Sequence, residues 1–161
     1  MPINSDFSDL LRAFNDGGVR YLVVGGYAVM RYTEPRYTKD LDLWADPDAK
    51  NAARIFSALA RFGAPLAGLT PRSFEDESMM YQIGVAPVRV DIIMAIGGVR
   101  FPDAWKRRER VDFGGVTVPM ISRDDLILAK QASGRPQDRK DLRRIQRAMS
   151  KEAWRPSKTR K

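Results

Sequence analysis

The chain has 161 residues, 43% hydrophobic and 30% charged, which predicts one soluble domain large enough to bury a genuine core. It contains neither cysteine nor histidine. That excludes disulfides, thiolate and imidazole metal ligands, cysteine nucleophiles and any serine–histidine pair, so a bound metal has to sit on oxygen ligands, which suits Mg²⁺ or Mn²⁺. The formal net charge of +8 is uneven: residues 1–100 carry 11 Lys+Arg against 12 Asp+Glu, and residues 101–161 carry 17 against 8. The C-terminal third therefore predicts an anionic partner (RNA, DNA or a nucleoside triphosphate), or else a solvated basic helix and tail. No run approaches the roughly 18 apolar residues of a membrane span, and the first residues lack a basic start with an apolar stretch. A cytoplasmic location without membrane contact is expected.

In chain order, Phe7, Leu10, Leu11 and Phe14 recur at helical spacing over residues 5–16, and Asp16-Gly17-Gly18 stops the helix. Tyr21, Leu22, Val23 and Val24 read as a buried strand running into Gly25-Gly26, with a short helix over residues 27–32 closed before Pro35. Residues 39–44 alternate, with Leu41 and Leu43 on one face and Asp40 and Asp42 on the other. Asp46-Pro47-Asp48 caps a helix over about residues 48–61, ended by Gly63. Residues 79–85 and 88–94 are strand-like and separated by Ala86-Pro87, which predicts a hairpin. Residues 101–107 are expected helical, and residues 110–113 and 116–120 flank Gly114-Gly115 as a second hairpin. Ser122 caps a helix through Gln131, with Asp124 and Asp125 in its dipole-favoured first turn. A break at Gly134-Arg135-Pro136 precedes a last helix over about residues 137–149. The order predicts an α+β fold: a mixed β-sheet flanked by helices, one domain over residues 1–150 and a basic, flexible tail over 151–161.

Chemistry concentrates on three aspartates. Asp40 and Asp42 sit two apart on one strand, so their carboxylates point to the same side of a sheet whose other face is buried. Two like charges there imply a metal ion, a neighbouring cation such as Lys39 or Arg36, or else a solvent-exposed sheet face. Asp91 interrupts the apolar run of residues 88–94, and pairing with Arg89 on its own face would account for it. On a neighbouring strand it would instead complete the oxygen-rich site of two-metal phosphoryl transfer. Gly25-Gly26, separated from Asp40 by 13 residues, would let phosphate approach the backbone at a helix N-terminus.

In this order the residues resemble the polymerase-β-type nucleotidyltransferase superfamily: Val24-Gly25-Gly26, then Asp40-Leu41-Asp42-Leu43, then Val90-Asp91-Ile92. The stretch from Gly25 through Tyr27 to Pro35-Arg36 and Lys39-Asp40 is similar to small bacterial members related to AbiEii-type toxins, with Tyr32 where many carry histidine. A second block, Lys130 followed by Gly134-Arg135-Pro136, Asp138 and Asp141, is similar to the family's C-terminal motif. The resemblance implies a nucleotidyltransferase fold and a Mg²⁺ (or Mn²⁺) site on Asp40, Asp42 and Asp91, which would also be the catalytic residues. It implies nucleotide contacts at Gly25, Gly26, Tyr27, Arg36, Lys39, Lys130 and Arg135. The residues themselves leave another reading for the second block, a salt-bridge network joining Asp138 and Asp141 to Lys130 or Arg135. The activity implied is transfer of a nucleoside monophosphate from a triphosphate to a hydroxyl of RNA, protein or a small molecule, with the toxin of a toxin–antitoxin pair as one such enzyme. The alternative is a non-catalytic nucleotide- or RNA-binding or protein-interaction member. RNA would use the basic C-terminal region, Arg139, Lys140, Arg143, Arg144 and Arg147 among it, and an antitoxin protein is a further expected partner.

Overall fold

The computed structural model describes residues 5–35, 38, 40–85 and 88–154. The elements follow as α1 (Ser5–Asp16), β1 (Tyr21–Val24), α2 (Gly25–Tyr32), β2 (Asp40–Ala45), α3 (Ala49–Phe62), β3 (Met80–Val85), β4 (Val88–Ile93), α4 (Phe101–Lys106), β5 (Glu109–Phe113), β6 (Val116–Met120), α5 (Arg123–Ser133) and α6 (Pro136–Trp154). Both expected hairpins form as antiparallel pairs, β3 with β4 and β5 with β6. The helix ends obey their local chemistry. Asp48 accepts hydrogen bonds from the Lys50 and Asn51 amides at the start of α3, Gly63 closes it at φ 94°, and the Ser122 hydroxyl accepts from Asp125 N–H at the start of α5.

Six strands make one mixed sheet in the order β3-β4-β2-β1-β6-β5, so the expected α+β class with a mixed sheet and flanking helices is what forms. β1 runs antiparallel to β2 and parallel to β6, and β2 runs parallel to β4. Cross-strand partners share a face. Tyr21 pairs with Ala45 and Val23 with Leu43, so these residues line the face that carries Leu41 and Leu43. The Phe14 ring meets Tyr21 edge-on at 5.4 Å, which places α1, and the α3 packed on it, against that face. Leu41, Leu43, Ile55 and Leu59 are fully buried in the layer between. The opposite face carries Asp40, Asp42 and Trp44; Trp44 is buried against Phe101 of α4. α5 pairs with α6, and α2 packs against both.

Besides shifts of one or two residues at other ends, three differences from expectation bear on the fold. α2 begins at Gly25 rather than Tyr27, with the chain turning out of β1 at Gly25 through φ 69°. Residues Pro71–Glu75, given no element from sequence, form a 3-10 turn that drives Phe74 fully into the core. α6 continues to Trp154 instead of stopping near residue 149, so the first residues of the expected tail are helical, and residues 155–161 lie outside the described residues.

Candidate active site

The alternation of β2 sets the site. Leu41 and Leu43 anchor one face, so Asp40 and Asp42 must project from the other. The parallel ladder with β4 then decides what lies beside them: Asp42 is in register with Asp91, and Asp40 with Arg89. With strands about 4.8 Å apart, each pair of side chains adjoins on the same face. The three carboxylates are therefore gathered, and Arg89 is gathered with them. Its Nη2 donates to Asp40 Oδ2 at 2.8 Å and to Asp91 Oδ2 at 3.2 Å. Its Nε lies 3.1 Å from Asp91 Oδ1 as an ion pair, yet off the angle of a hydrogen bond, so among the described residues both atoms are buried without a hydrogen-bonding partner.

The crowding of negative charge is felt most at Asp42. Burial first, then the charges of Asp91 and Asp40, push its carboxyl up to about 7, against the opposing pull of Lys130 and Arg89. Gly25 closes over it. A Cβ at that position would stand 2.2 Å from Asp42 Oδ2, so only glycine permits the approach, and the positive φ makes the same demand. Gly25 and Gly26 thus open α2 directly above the carboxylate cluster, with their amides in the first turn where a helix leaves N–H groups free.

Lys130, at the end of α5, forms the second wall. Its ammonium lies 3.0 Å from Asp138 Oδ1 and 2.9 Å from Asp141 Oδ2, all three side chains nearly buried. Arg135 Nε donates to Asp138 Oδ2 at 3.1 Å from a largely exposed position, and Gln137 Nε2 donates to Asp141 Oδ1. Burial alone would raise Asp138, but hydrogen bonds from Ser133, Lys130 and Arg135 outweigh it and hold the carboxyl at about 2. The salt-bridge network foreseen as the alternative for this block is what the side chains form. Lys130 nonetheless remains close enough to lower the Asp42 carboxyl.

The other expected contacts divide. Arg36 and Lys39 lie outside the described residues. Tyr27 is half-buried, its ring edge-on to Phe113 at 4.9 Å and Phe7 at 6.4 Å, so its aromatic body serves packing. Tyr32 donates its hydroxyl to the Ile121 carbonyl at 2.7 Å. It borders a polar groove of about 620 Å³, also lined by Arg31, Glu109, Arg144, Arg147 and Lys151, which contains none of the three aspartates. The site is therefore an open face defined by side-chain chemistry and not by that concavity. Two residues escaped sequence reasoning. Arg89 was legible only as an ion-pair partner of Asp91, with no sign of its reach to Asp40. Asp125, expected to serve the helix dipole, is buried and clasped by Arg107 through Nε and Nη2 at 2.9–3.3 Å.

The donor set suits a hard divalent cation: three carboxylates on one face, one with a buried oxygen that is ion-paired but accepts no hydrogen bond, and one with raised proton affinity. As they stand, no three acidic side chains among the described residues converge to hold a metal ion, since Asp40 and Asp91 turn toward Arg89.

Among curated proteins none matches the chain significantly by sequence. Solved structures share the fold. The lincomycin-bound lincosamide antibiotic adenylyltransferase LnuA is 15% identical at a TM-score of 0.56, over 90% of this chain and 97% of that one. ANT(2")-Ia in complex with adenylyl-2"-tobramycin is 14% identical at 0.60, over 92% and 90%. An antigenic nucleotidyltransferase-like protein from Paracoccidioides brasiliensis is 15% identical at 0.51, over 93% and 78%. The family described as nucleotidyl transferase of unknown function (DUF2204) matches residues 4–160, nearly the whole chain, and the chain belongs to that family.

Proposed function

We propose that the protein transfers a nucleoside monophosphate from a nucleoside triphosphate to an acceptor hydroxyl, with Asp40, Asp42 and Asp91 holding Mg²⁺ or Mn²⁺. The observation that carries this is the register of Asp42 with Asp91, beneath a glycine whose Cβ-free backbone lies against Asp42. A divalent ion bound there would supply charge neutralisation for the phosphates and activation of the attacking oxygen. The chain's own groups do the rest. The amides of Gly25 and Gly26 at the head of α2 receive phosphate oxygens, and Lys130 adds positive potential from the opposite wall. Arg135, Tyr27, Arg36 and Lys39 belong to the proposal as nucleotide contacts, Arg135 through its exposed guanidinium. Asp91 receives the acceptor proton, directly or through water.

Two fold neighbours are antibiotic adenylyltransferases, which favours a small-molecule hydroxyl. The exposed cations Arg139, Lys140, Arg143 and Arg147 along α6 favour RNA instead. An AbiEii-like toxin paired with an antitoxin stays within this proposal on the resemblance of its motifs. Glu75, Asp76 and Glu77, a conceivable lure for a cationic acceptor, are exposed. The non-catalytic reading has one observation in its favour: Arg89 already neutralises two of the three carboxylates.

The test is incubation with each α-labelled nucleoside triphosphate, Mg²⁺ or Mn²⁺, and total RNA, protein extract or an aminoglycoside and lincosamide panel. Wild type is expected to label one acceptor class, and Asp42→Asn to lose transfer by ~10³-fold or more, the scale of removing a central electrostatic group. Nucleotide binding without any transfer would favour the non-catalytic reading.

A further inference from the structure

We propose that Arg89 is a built-in counter-cation that competes with the divalent ion for Asp40 and Asp91, so that metal binds only as the guanidinium withdraws. This rests on the metal reading above and adds a regulation of that same site. Three observations carry it. First, Arg89 is not a visitor from a loop: it lies on β4 itself, opposite Asp40 and two residues before Asp91, so the strand register that gathers the acids also delivers the cation. Second, one nitrogen, Nη2, bridges both carboxylates at 2.8 and 3.2 Å, while Nε faces Asp91 Oδ1 at 3.1 Å. A divalent ion and this guanidinium compete for those oxygens, because two cations held at contact distance on the same carboxylates repel each other. The carboxylates are adjacent in the sheet, yet among the described residues no three acids converge on a metal position. The clasp accounts for that discrepancy.

Third, the clasp is placed to open. The Arg89 side chain is 36% exposed and Asp40 31%, whereas Asp91 is only 10% exposed. The guanidinium can rotate into water on its long stem without unpacking the core, while Asp91 stays fixed to meet an incoming ion. Without metal, Arg89 keeps three neighbouring carboxylates from facing one another uncompensated. With metal, it becomes a free cation at the rim of the site. The cost is affinity: a site open one-tenth of the time binds about tenfold more weakly than its intrinsic constant.

The experiment measures Mn²⁺ affinity by calorimetry on nucleotide-free wild type, Arg89→Gln and Arg89→Lys, with near-ultraviolet circular dichroism confirming the fold. Arg89→Gln is expected to bind Mn²⁺ at least about tenfold more tightly. Arg89→Lys, which keeps the charge but loses the two-pronged grip, is expected to fall between the two. Equal affinities in all three proteins would overturn the competition while leaving the metal site standing. Absence of Mn²⁺ binding in every folded protein would overturn both together. Should Arg89→Gln not fold, nuclear magnetic resonance of the arginine side chains in wild type decides. Saturating Mg²⁺ is expected to shift the Arg89 resonance to that of a solvated guanidinium, and an unmoved resonance refutes the clasp.

Discussion

Replacing Gly25 by alanine tests the central packing contact, because a nearly matched control exists in the same chain. Gly25 has φ 69° and Gly18 has φ 68°, so both pay the same backbone penalty on gaining a Cβ, about 1–2 kcal/mol for the left-handed region. They differ in what the new methyl meets. At Gly18 nothing lies within 4 Å, whereas at Gly25 the methyl would stand 2.2 Å from Asp42 Oδ2, 2.9 Å from Cγ and 3.0 Å from Cβ. Forcing these atoms apart in a packed region adds about 1–3 kcal/mol. Gly18→Ala should therefore cost about 1–2 kcal/mol and Gly25→Ala about 2–5 kcal/mol in urea denaturation with chelator present. The change in unfolded-chain entropy is common to both variants and cancels in the comparison. A double-mutant cycle sharpens it: Asp42→Ala removes Oδ2 and Cγ, so Gly25→Ala on that background should cost less by about 1–2 kcal/mol. Losses within ~0.5 kcal/mol of each other for Gly18→Ala and Gly25→Ala would refute the claim that Gly25 is glycine because of Asp42.

Lys130→Met should destabilise by about 3–5 kcal/mol in urea denaturation, because it strands the buried carboxylates of Asp138 and Asp141, while Arg135→Gln, at a 77% exposed side chain, should cost under ~1 kcal/mol. For pH, the native Asp42 carboxyl at about 7 lies above its unfolded value of 3.8, so native protein holds a proton that the unfolded chain releases. Metal-free stability should thus fall as pH rises from about 4 to 7, by up to about 4 kcal/mol from this group, and Asp42→Asn should flatten the profile in that window. Asp138, held at about 2, has the opposite sign: its contribution is present above pH ~4 and is lost as pH falls toward 2, which a denaturation series in acid reads directly.

The sequence was most legible where a local rule had no competitor. Alternation along residues 39–44 placed two leucines inward and two aspartates outward, and Asp48, Gly63 and Ser122 marked helix ends they do form. Failure came where the local signal was silent or ambiguous. Glycine is a poor helix former, so nothing local marks the two glycines as the opening of α2; at Gly25 the chain leaves the strand through a positive φ, close against Asp42. Nothing in Met149-Ser150-Lys151-Glu152-Ala153-Trp154 stops a helix before Pro156, and α6 duly runs on to Trp154. Asp125 sits where an acid suits the helix dipole, and that explanation hid its burial beneath Arg107, a partner 18 residues away.

Strand register is the step no local pattern supplies. Alternation tells which face a side chain takes but not which strand lies beside it, and a slip of one residue reverses every face. For Asp91 the sequence offered two exclusive fates: completing the acidic pair or pairing with Arg89. The parallel ladder of β2 and β4 makes them compatible, since the register that sets Asp91 beside Asp42 necessarily sets Arg89 beside Asp40. The strand cannot slide to discard the arginine and keep the acid. A chain built this way carries a cation in the metal-free site as a consequence of its fold, and mutating Arg89 is the only local means of separating the two roles.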